Sequence, residues 1–210
     1  ISPSAIVFVA KDPDLNPATH TSCSCYYCPM FSWTGVNALE AKVCAVKGLE
    51  GAMSSPILTS DGSSILLLAM REDGYESDKR RILYVPNPWN GEMIEVFASA
   101  DGEGLWDSSP AGLTLSNDDQ SLFIQVEEYG RGVLYQLPLA DIRHATPDKL
   151  KKITDAGYVT DVYPASKKST KLLISSTSLV DNSVWSIVDP ESPSDVRVIS
   201  SIGRNGAVFG

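Results

Sequence analysis

The feature that most constrains the fold is a repeat of roughly 50 residues. A polar turn followed by a short apolar run recurs in TSDGSSILLLAM (59 to 70), LSNDDQSLFIQV (115 to 126) and, more loosely, ASKKSTKLLISS (165 to 176). SSP precedes the first two copies, at 54 to 56 and 108 to 110, and TDV stands at 160 to 162 before the third. A second run with a central aromatic follows in each: RILYVP (81 to 86), VLYQLP (133 to 138) and SVWSIV (183 to 188). Tyr84, Tyr135 and Trp185 lie 51 and 50 residues apart. Each unit closes with a third segment, EMIEVFA (92 to 98), LKKIT (150 to 154) or DVRVIS (195 to 200).

Four short strands per repeat, separated by Gly, Asp, Asn, Ser and Pro, describe one blade of a β-propeller. The reading is therefore an all-β chain of four-stranded antiparallel blades, about four in number, at 1–51, 52–106, 107–158 and 159–210. Residues 1 to 210 then form a single propeller domain or a fragment of a larger ring. Projected backwards, the period makes IVFVAK (6 to 11), CYYCPM (25 to 30) and AKVCAVK (41 to 47) the second, third and fourth strands of the first blade, with Tyr27 as counterpart of Tyr84. GAVFG (206 to 210) reads as the first strand of another blade. Helical periodicity is confined to LADIRHATPDKLKK (139 to 152), enough for a helical turn between strands.

Charge narrows the partners. The chain has 26 acidic against 17 basic residues, a formal charge of −9, and no basic run to neutralise phosphates, so neither nucleic acid nor an anionic membrane is expected. No window approaches the ~20 apolar residues of a membrane span, and ISPSAIVFVAK has no basic n-region of a signal peptide. Asn-x-Ser/Thr sequons are absent.

REDGYESDKRRILYV (71 to 85), GLWDSSP (104 to 110), EEYGRGVLYQL (127 to 137) and VAKDPDLNPAT (9 to 19) resemble the propeller of the prolyl oligopeptidase family of serine peptidases, most closely its fungal dipeptidyl peptidase V and acylaminoacyl peptidase-like branch. The family tends to carry arginine where Ser108 and Lys79 stand here. The resemblance implies a propeller that caps a separate α/β-hydrolase domain bearing a Ser, Asp and His triad. No Gly-x-Ser-x-Gly elbow occurs in these 210 residues, so the expectation is a chain with no α/β-hydrolase domain and no catalytic residue of its own. His20 and His144 both fall in loops without a nucleophile placed beside them. The function implied is that of a cap gating a peptidase that hydrolyses short peptides near the amino end. Its partners would be the catalytic domain of the same polypeptide, or a second copy, and a peptide substrate. The alternative is a stand-alone, non-catalytic binding or lectin-like propeller.

The loops between second and third strands gather Asp12, Asp14, Glu72, Asp73, Glu76, Asp78, Glu127, Glu128 and Asp181. In dipeptide-removing relatives, propeller glutamates hold the substrate's free amino group, which makes Glu76, Glu127 and Glu128 the substrate-binding candidates by resemblance. Neighbouring strand residues point to opposite faces, so Glu127 and Glu128 converge only if the pleat breaks; the plainer reading is a solvated acidic turn. In GYESDKRR, Asp78 with Arg80 or Arg81 is read as a tie between blades, the alternative being a surface ion-pair lattice. Trp106 and Asp107 are read as packing and turn residues at a blade crossing, and Tyr84, Tyr135 and Trp185 as core between blades.

TSCSCYYCPMF (21 to 31) crowds three of the four cysteines together. On a strand, Cys23 and Cys25 share a face ~6.6 Å apart and Cys28 points away, so no nearby pair fits a disulfide and no three thiolates converge on zinc. Cys44, on the adjacent strand, alone could pair across the ladder. The expectation is four free thiols, no metal, no cofactor, and a reducing, cytoplasmic compartment, with secretion as the alternative.

Overall fold

The computed structural model describes residues 5 to 30, 41 to 44, 48 to 166 and 169 to 203. Among them the chain is almost wholly β-strand and turn, arranged as four antiparallel meanders of consecutive strands. They fall in two compact units, Ile1–Leu113 with Ile142–Pro147, and Thr114–Asp141 with Asp148–Gly210.

In the first unit, β1 (Ala5–Ala10), β2 (Ser24–Pro29) and β3 (Lys42–Cys44) form a three-stranded sheet in that order. They occupy the positions that the repeat assigned to the second, third and fourth strands of a blade. The second sheet runs β4 (Met53–Leu58), β5 (Ile65–Ala69), β6 (Arg81–Asn87), β7 (Glu92–Glu95). All five residues of β5, ILLLA, are buried, because an inner strand with both faces covered has no polar side to offer. Ile65, Leu67 and Ala69 pack with Leu83 and Val85 against Ala5, Cys25, Tyr27 and Cys44 of the first sheet.

The third sheet runs β8 (Pro110–Leu115), β9 (Ser121–Glu128), β10 (Arg131–Pro138), β11 (Lys151–Lys152). Short 3-10 turns at Leu139–His144 and Pro147–Lys149 fill the one stretch where helical periodicity was seen. The last sheet runs β12 (Tyr158–Pro164), β13 (Leu172–Thr177), β14 (Val184–Asp189), β15 (Ser192–Ser201). Its core joins Phe123, Leu134 and Ile153 to Val159, Val162, Leu172, Ile174 and Val188. Gly132 lets β10 approach β12 closely: a Cβ there would stand 2.8 Å from the Val159 nitrogen. GAVFG lies outside the described residues.

The polar turn of the repeat has a definite chemistry. In TSDGSS the Thr59 hydroxyl donates to Asp61 (2.7 Å), Asp61 accepts from the Ser63 nitrogen (2.9 Å), and the Ser64 nitrogen donates to Thr59 Oγ1 (3.0 Å). Ser116, Asp118, Gln120 and Ser121 repeat every one of these bonds. Aligned on their turns the two runs are offset by one residue, so Thr59 matches Ser116 rather than Leu115. SADGEG, 99 to 104, is a third copy that the strand pattern did not reveal: Ser99 bonds Asp101, Asp101 accepts from the Glu103 nitrogen, and Gly104 donates to Ser99. The fourth position needs φ > 0, which Gly62 (72°), Gly102 (76°) and Asp119 (54°) supply.

The aromatic markers correct a sequence expectation. Tyr84, Tyr135 and Trp185 are only half-buried, while Leu83 and Val85 beside Tyr84, Leu134 beside Tyr135, and Val188 three positions beyond Trp185 carry the cores. Strand residues alternate between faces, so the side chain flanked by two core residues points the other way. Tyr84 lies under the Arg143 guanidinium, 5.9 Å from its ring centre, and Tyr135 donates to Glu128 Oε1 (2.7 Å). Tyr27 belongs to the opposite phase. It is buried in the first core and meets Trp89 edge-on at 5.6 Å, so it matches Leu83 and Val85 in role rather than Tyr84.

Candidate functional site

An open cleft of about 630 Å³ with an apolar rim lies in the second unit, bordered by the β9–β10 turn and the β13–β14 loop. The first is a two-residue hairpin turn, Tyr129 (φ 51°) and Gly130 (φ 73°). Two residues with φ > 0 match the twist of the flanking strands and throw the first side chain outward. Tyr129 is accordingly wholly exposed, as are Leu179 and Val180 in the second loop. That loop is pinned from beneath: the Ser178 nitrogen donates to the Asp181 carbonyl (2.7 Å), and the buried Asp181 carboxylate accepts from the Ser201 hydroxyl, the Gly203 nitrogen (3.0 Å) and the Ser183 nitrogen (3.1 Å).

Polar groups stand among this apolar surface. Arg131 lines the cleft and donates to the Asp155 carbonyl (3.0 Å); Tyr158 lines it too and donates to Glu127 Oε2 (3.2 Å). An aromatic ring, two aliphatic side chains, a guanidinium and a phenol suit the binding of a peptide-like ligand. Thr177 and Ser178 also line the cleft, and the Ser178 hydroxyl donates to the Asp181 carbonyl (3.4 Å).

Glu127 and Glu128 do not converge. The pleat of β9 sends Glu127 to Tyr158 beside the cleft, and Glu128 to the other face, where it accepts from Tyr135 and from Lys152 Nζ (2.9 Å). Burial alone would raise the Glu128 carboxyl, but the Tyr135 hydroxyl and Lys152 ammonium more than offset it and hold it below the ordinary carboxylate value. A two-carboxylate clamp on an ammonium is therefore absent from these residues as they stand. Glu76 is an exposed loop residue of the first unit.

The tie expected between Asp78 and Arg80 or Arg81 is not formed. Asp78 closes its own loop, accepting from the Arg71 nitrogen (2.6 Å) and the Lys79 nitrogen (2.7 Å), since a carboxylate finds nearby backbone N–H groups at less entropic cost than a distant side chain. The Arg80 nitrogen donates to Ser109 Oγ (3.1 Å). Arg81 is buried, with NH1 on Glu95 Oε1 (2.7 Å) and on the Gly102 carbonyl (3.0 Å), while its Nε has no partner among the described residues. These contacts fasten the second sheet to the 99 to 109 segment that follows it. Trp106 packs edge-on against Phe97 at 5.2 Å, and Asp107 is exposed.

The contact between sheets that sequence reasoning missed uses Asp73. Its carboxylate takes the His20 ring Nδ1 and the backbone nitrogens of Thr21 (2.8 Å) and Ser22 (2.9 Å), while Gly74 donates back to Thr21 Oγ1 (2.9 Å). Nothing in the spacing of residues 20 and 73 signals this pairing. An aspartate on a histidine supplies two of the three members of a hydrolytic triad, yet no hydroxyl or thiol among the described residues bonds the other ring nitrogen. His144 is exposed at the end of its 3-10 turn. No group of three or more metal-ligating side chains occurs among the described residues.

The His20 bond, ahead of the Ser22 and Thr21 nitrogens, holds the Asp73 carboxyl down to about 2; Asp61, Asp101 and Asp118 are lowered too, each first by the hydroxyl of its turn. A carboxyl whose folded value is depressed adds stability at pH above its unfolded value, 3.8, and loses it as pH falls through the folded one. Melting temperature is thus expected to hold down to about pH 5 and to fall between about pH 4 and 2. The Asp61→Asn, Asp118→Asn double variant, which keeps the turn's acceptors without the charge, should lose less over that window. An equal loss, measured by thermal denaturation across the pH series, would refute the assignment.

No family model matches the chain. It is 29% identical over 191 residues to dipeptidyl-peptidase 5 of Trichophyton schoenleinii, covering 90% of this chain and 25% of that protein. The corresponding protein of Arthroderma otae is 28% identical over 190 residues, with the same coverage. The chain thus spans about a quarter of the length of the curated relatives it matches. Among solved structures, TolB from Acinetobacter baumannii superposes with a TM-score of 0.60 at 15% identity, over 95% of this chain and 42% of that one. Prolyl oligopeptidase B from Galerina marginata gives 0.57 at 11%, over 95% and 27%. At such identities the structures establish the fold alone. The four meanders and the shared fold make this a β-propeller portion, similar in sequence to part of dipeptidyl-peptidase 5 over nine-tenths of the chain.

Proposed function

We propose that the chain is the propeller of a serine peptidase that releases short peptides from amino ends, its triad lying in polypeptide beyond these 210 residues. The observation that carries this reading is the 29% identity to dipeptidyl-peptidase 5 over 90% of the chain, while only 25% of that protein is spanned. The propeller's part is to restrict which peptides reach the catalytic centre, and the cleft rimmed by Tyr129, Tyr158, Leu179 and Val180 supplies a surface on which an extended peptide can rest. Catalysis by the described residues finds no support, because among them neither histidine is hydrogen-bonded to a hydroxyl or thiol.

The test is fluorophosphonate labelling of the longer polypeptide carrying this propeller, beside the 210-residue chain, with turnover of a chromogenic dipeptide amide measured on both. The expected result is a label on a serine outside residues 1 to 210, turnover by the longer polypeptide, and neither for the short chain. Peptide binding without label or turnover in the longer polypeptide would replace this reading with that of a non-catalytic binding propeller.

A further inference from the structure

β2 and β3 are antiparallel neighbours, and their register sets Cys25 directly opposite Cys44. Opposed residues on such a ladder have Cα atoms ~4.5 to 5.5 Å apart, within the ~4.4 to 6.8 Å that a disulfide spans. They also share a face. Both side chains enter the first unit's core beside Ala5, Tyr27 and Met53, and both are buried. Each thiol acts on the titration of the other. The neighbouring Cys44 thiol, with burial added, pushes the Cys25 thiol far up, while Cys25 draws the Cys44 thiol below its ordinary value against the opposing effect of burial. The remaining cysteines lack this geometry. Cys23 precedes the strand, its thiol directed to the Thr21 carbonyl (3.7 Å), and Cys28 lies three positions from Cys25, on the opposite face.

We propose that Cys25 and Cys44 form a redox-active dithiol that closes to a cross-strand disulfide when a small disulfide oxidant reaches it. The Cys44 thiolate attacks one sulfur of the oxidant, forming a mixed disulfide and expelling one thiolate. The Cys25 thiol passes its proton to that thiolate, and its sulfur attacks the Cys44 sulfur and expels the second. Two protein thiols are oxidised by two electrons, and one small disulfide is reduced to two thiols. Entry does not require global unfolding: β3 is three residues long and lies at the end of its sheet's strand order, so its local release uncovers both sulfurs. The reduced protein keeps four titratable thiols, and the oxidised protein keeps two.

The experiment equilibrates the chain with excess oxidised glutathione, alkylates the remaining thiols, and maps the digest by mass spectrometry. The expected outcome is a fall from four reactive thiols to two, a loss of ~2 Da, a linked peptide joining Cys25 to Cys44, and reversal by dithiothreitol. The Cys23→Ser, Cys28→Ser double variant, which leaves the pair untouched, should form the same link. Four thiols surviving even in mildly denaturing buffer, glutathione adducts without an internal link, or a link through Cys23 or Cys28 would each overturn the proposal.

Discussion

Phe123→Ala is expected to cost about 3 to 5 kcal/mol of folding stability, a large part of what a domain of this kind possesses. The ring is 2% exposed in the core it shares with Leu134, Val162, Leu172 and Ile174, so truncation removes its transfer free energy and leaves a void that strands cannot easily close. Phe8→Ala is the matched control. That ring is 41% exposed and stacks on Tyr26 at 5.3 Å, so its removal should cost about 1 kcal/mol. The two midpoints in guanidinium chloride measure the difference. Similar losses for both would show that Phe123 does not sit in a closed core.

The second large effect concerns the charge pair under the 99 to 109 segment, where the order of two variants is the test. Arg81 has a side chain 5% exposed, and Glu95 one 25% exposed. Glu95→Ala strands the buried guanidinium with the Gly102 carbonyl as its remaining partner among the described residues, where its Nε already has none. An unpaired buried charge costs about 3 to 5 kcal/mol. Arg81→Met fills the same space and leaves a carboxylate that can turn to water, so its cost should be about 1 to 2 kcal/mol. If Arg81→Met proves the more damaging, the pair acts through packing of the arginine stem rather than through burial of its charge.

The blades were legible because a meander is local. Each hairpin joins strands adjacent in sequence, so a period near 50 residues and a turn rich in Ser, Asp and Gly suffice to mark them. The turn was readable in TSDGSS and SNDDQS, where the same hydroxyl and carboxylate recur at the same offsets, and SADGEG passed unnoticed because no long apolar run follows it. Phase was harder. The aromatics recur with the period and so looked like core, but a one-residue difference in phase turns a side chain to the other face of a sheet, and Leu83, Val85 and Leu134 hold the buried positions instead.

For the candidate site the division is sharper. The pleat argument rightly set Glu127 and Glu128 apart, because adjacent residues on a strand obey a local rule. Their partners, Tyr158 and Lys152, come from other strands and could not be named in advance. The same holds for Asp73 and His20, and for Asp78, which was assigned a distant arginine and took its neighbours' backbone instead.

By itself, then, the sequence determined the all-β meander, the positions of two of its polar turns, the alternation of neighbouring strand residues between faces and the likeness to a peptidase propeller, since all of these are written in local periodicity and residue type. Which side chains meet across sheets was decided only by the tertiary structure: Cys25 against Cys44, Asp73 on His20, Tyr129 beside Leu179 and Val180 over a cleft. The physical reason is that register and inter-sheet packing are cooperative properties of the whole core, with no term that a single stretch of chain can carry.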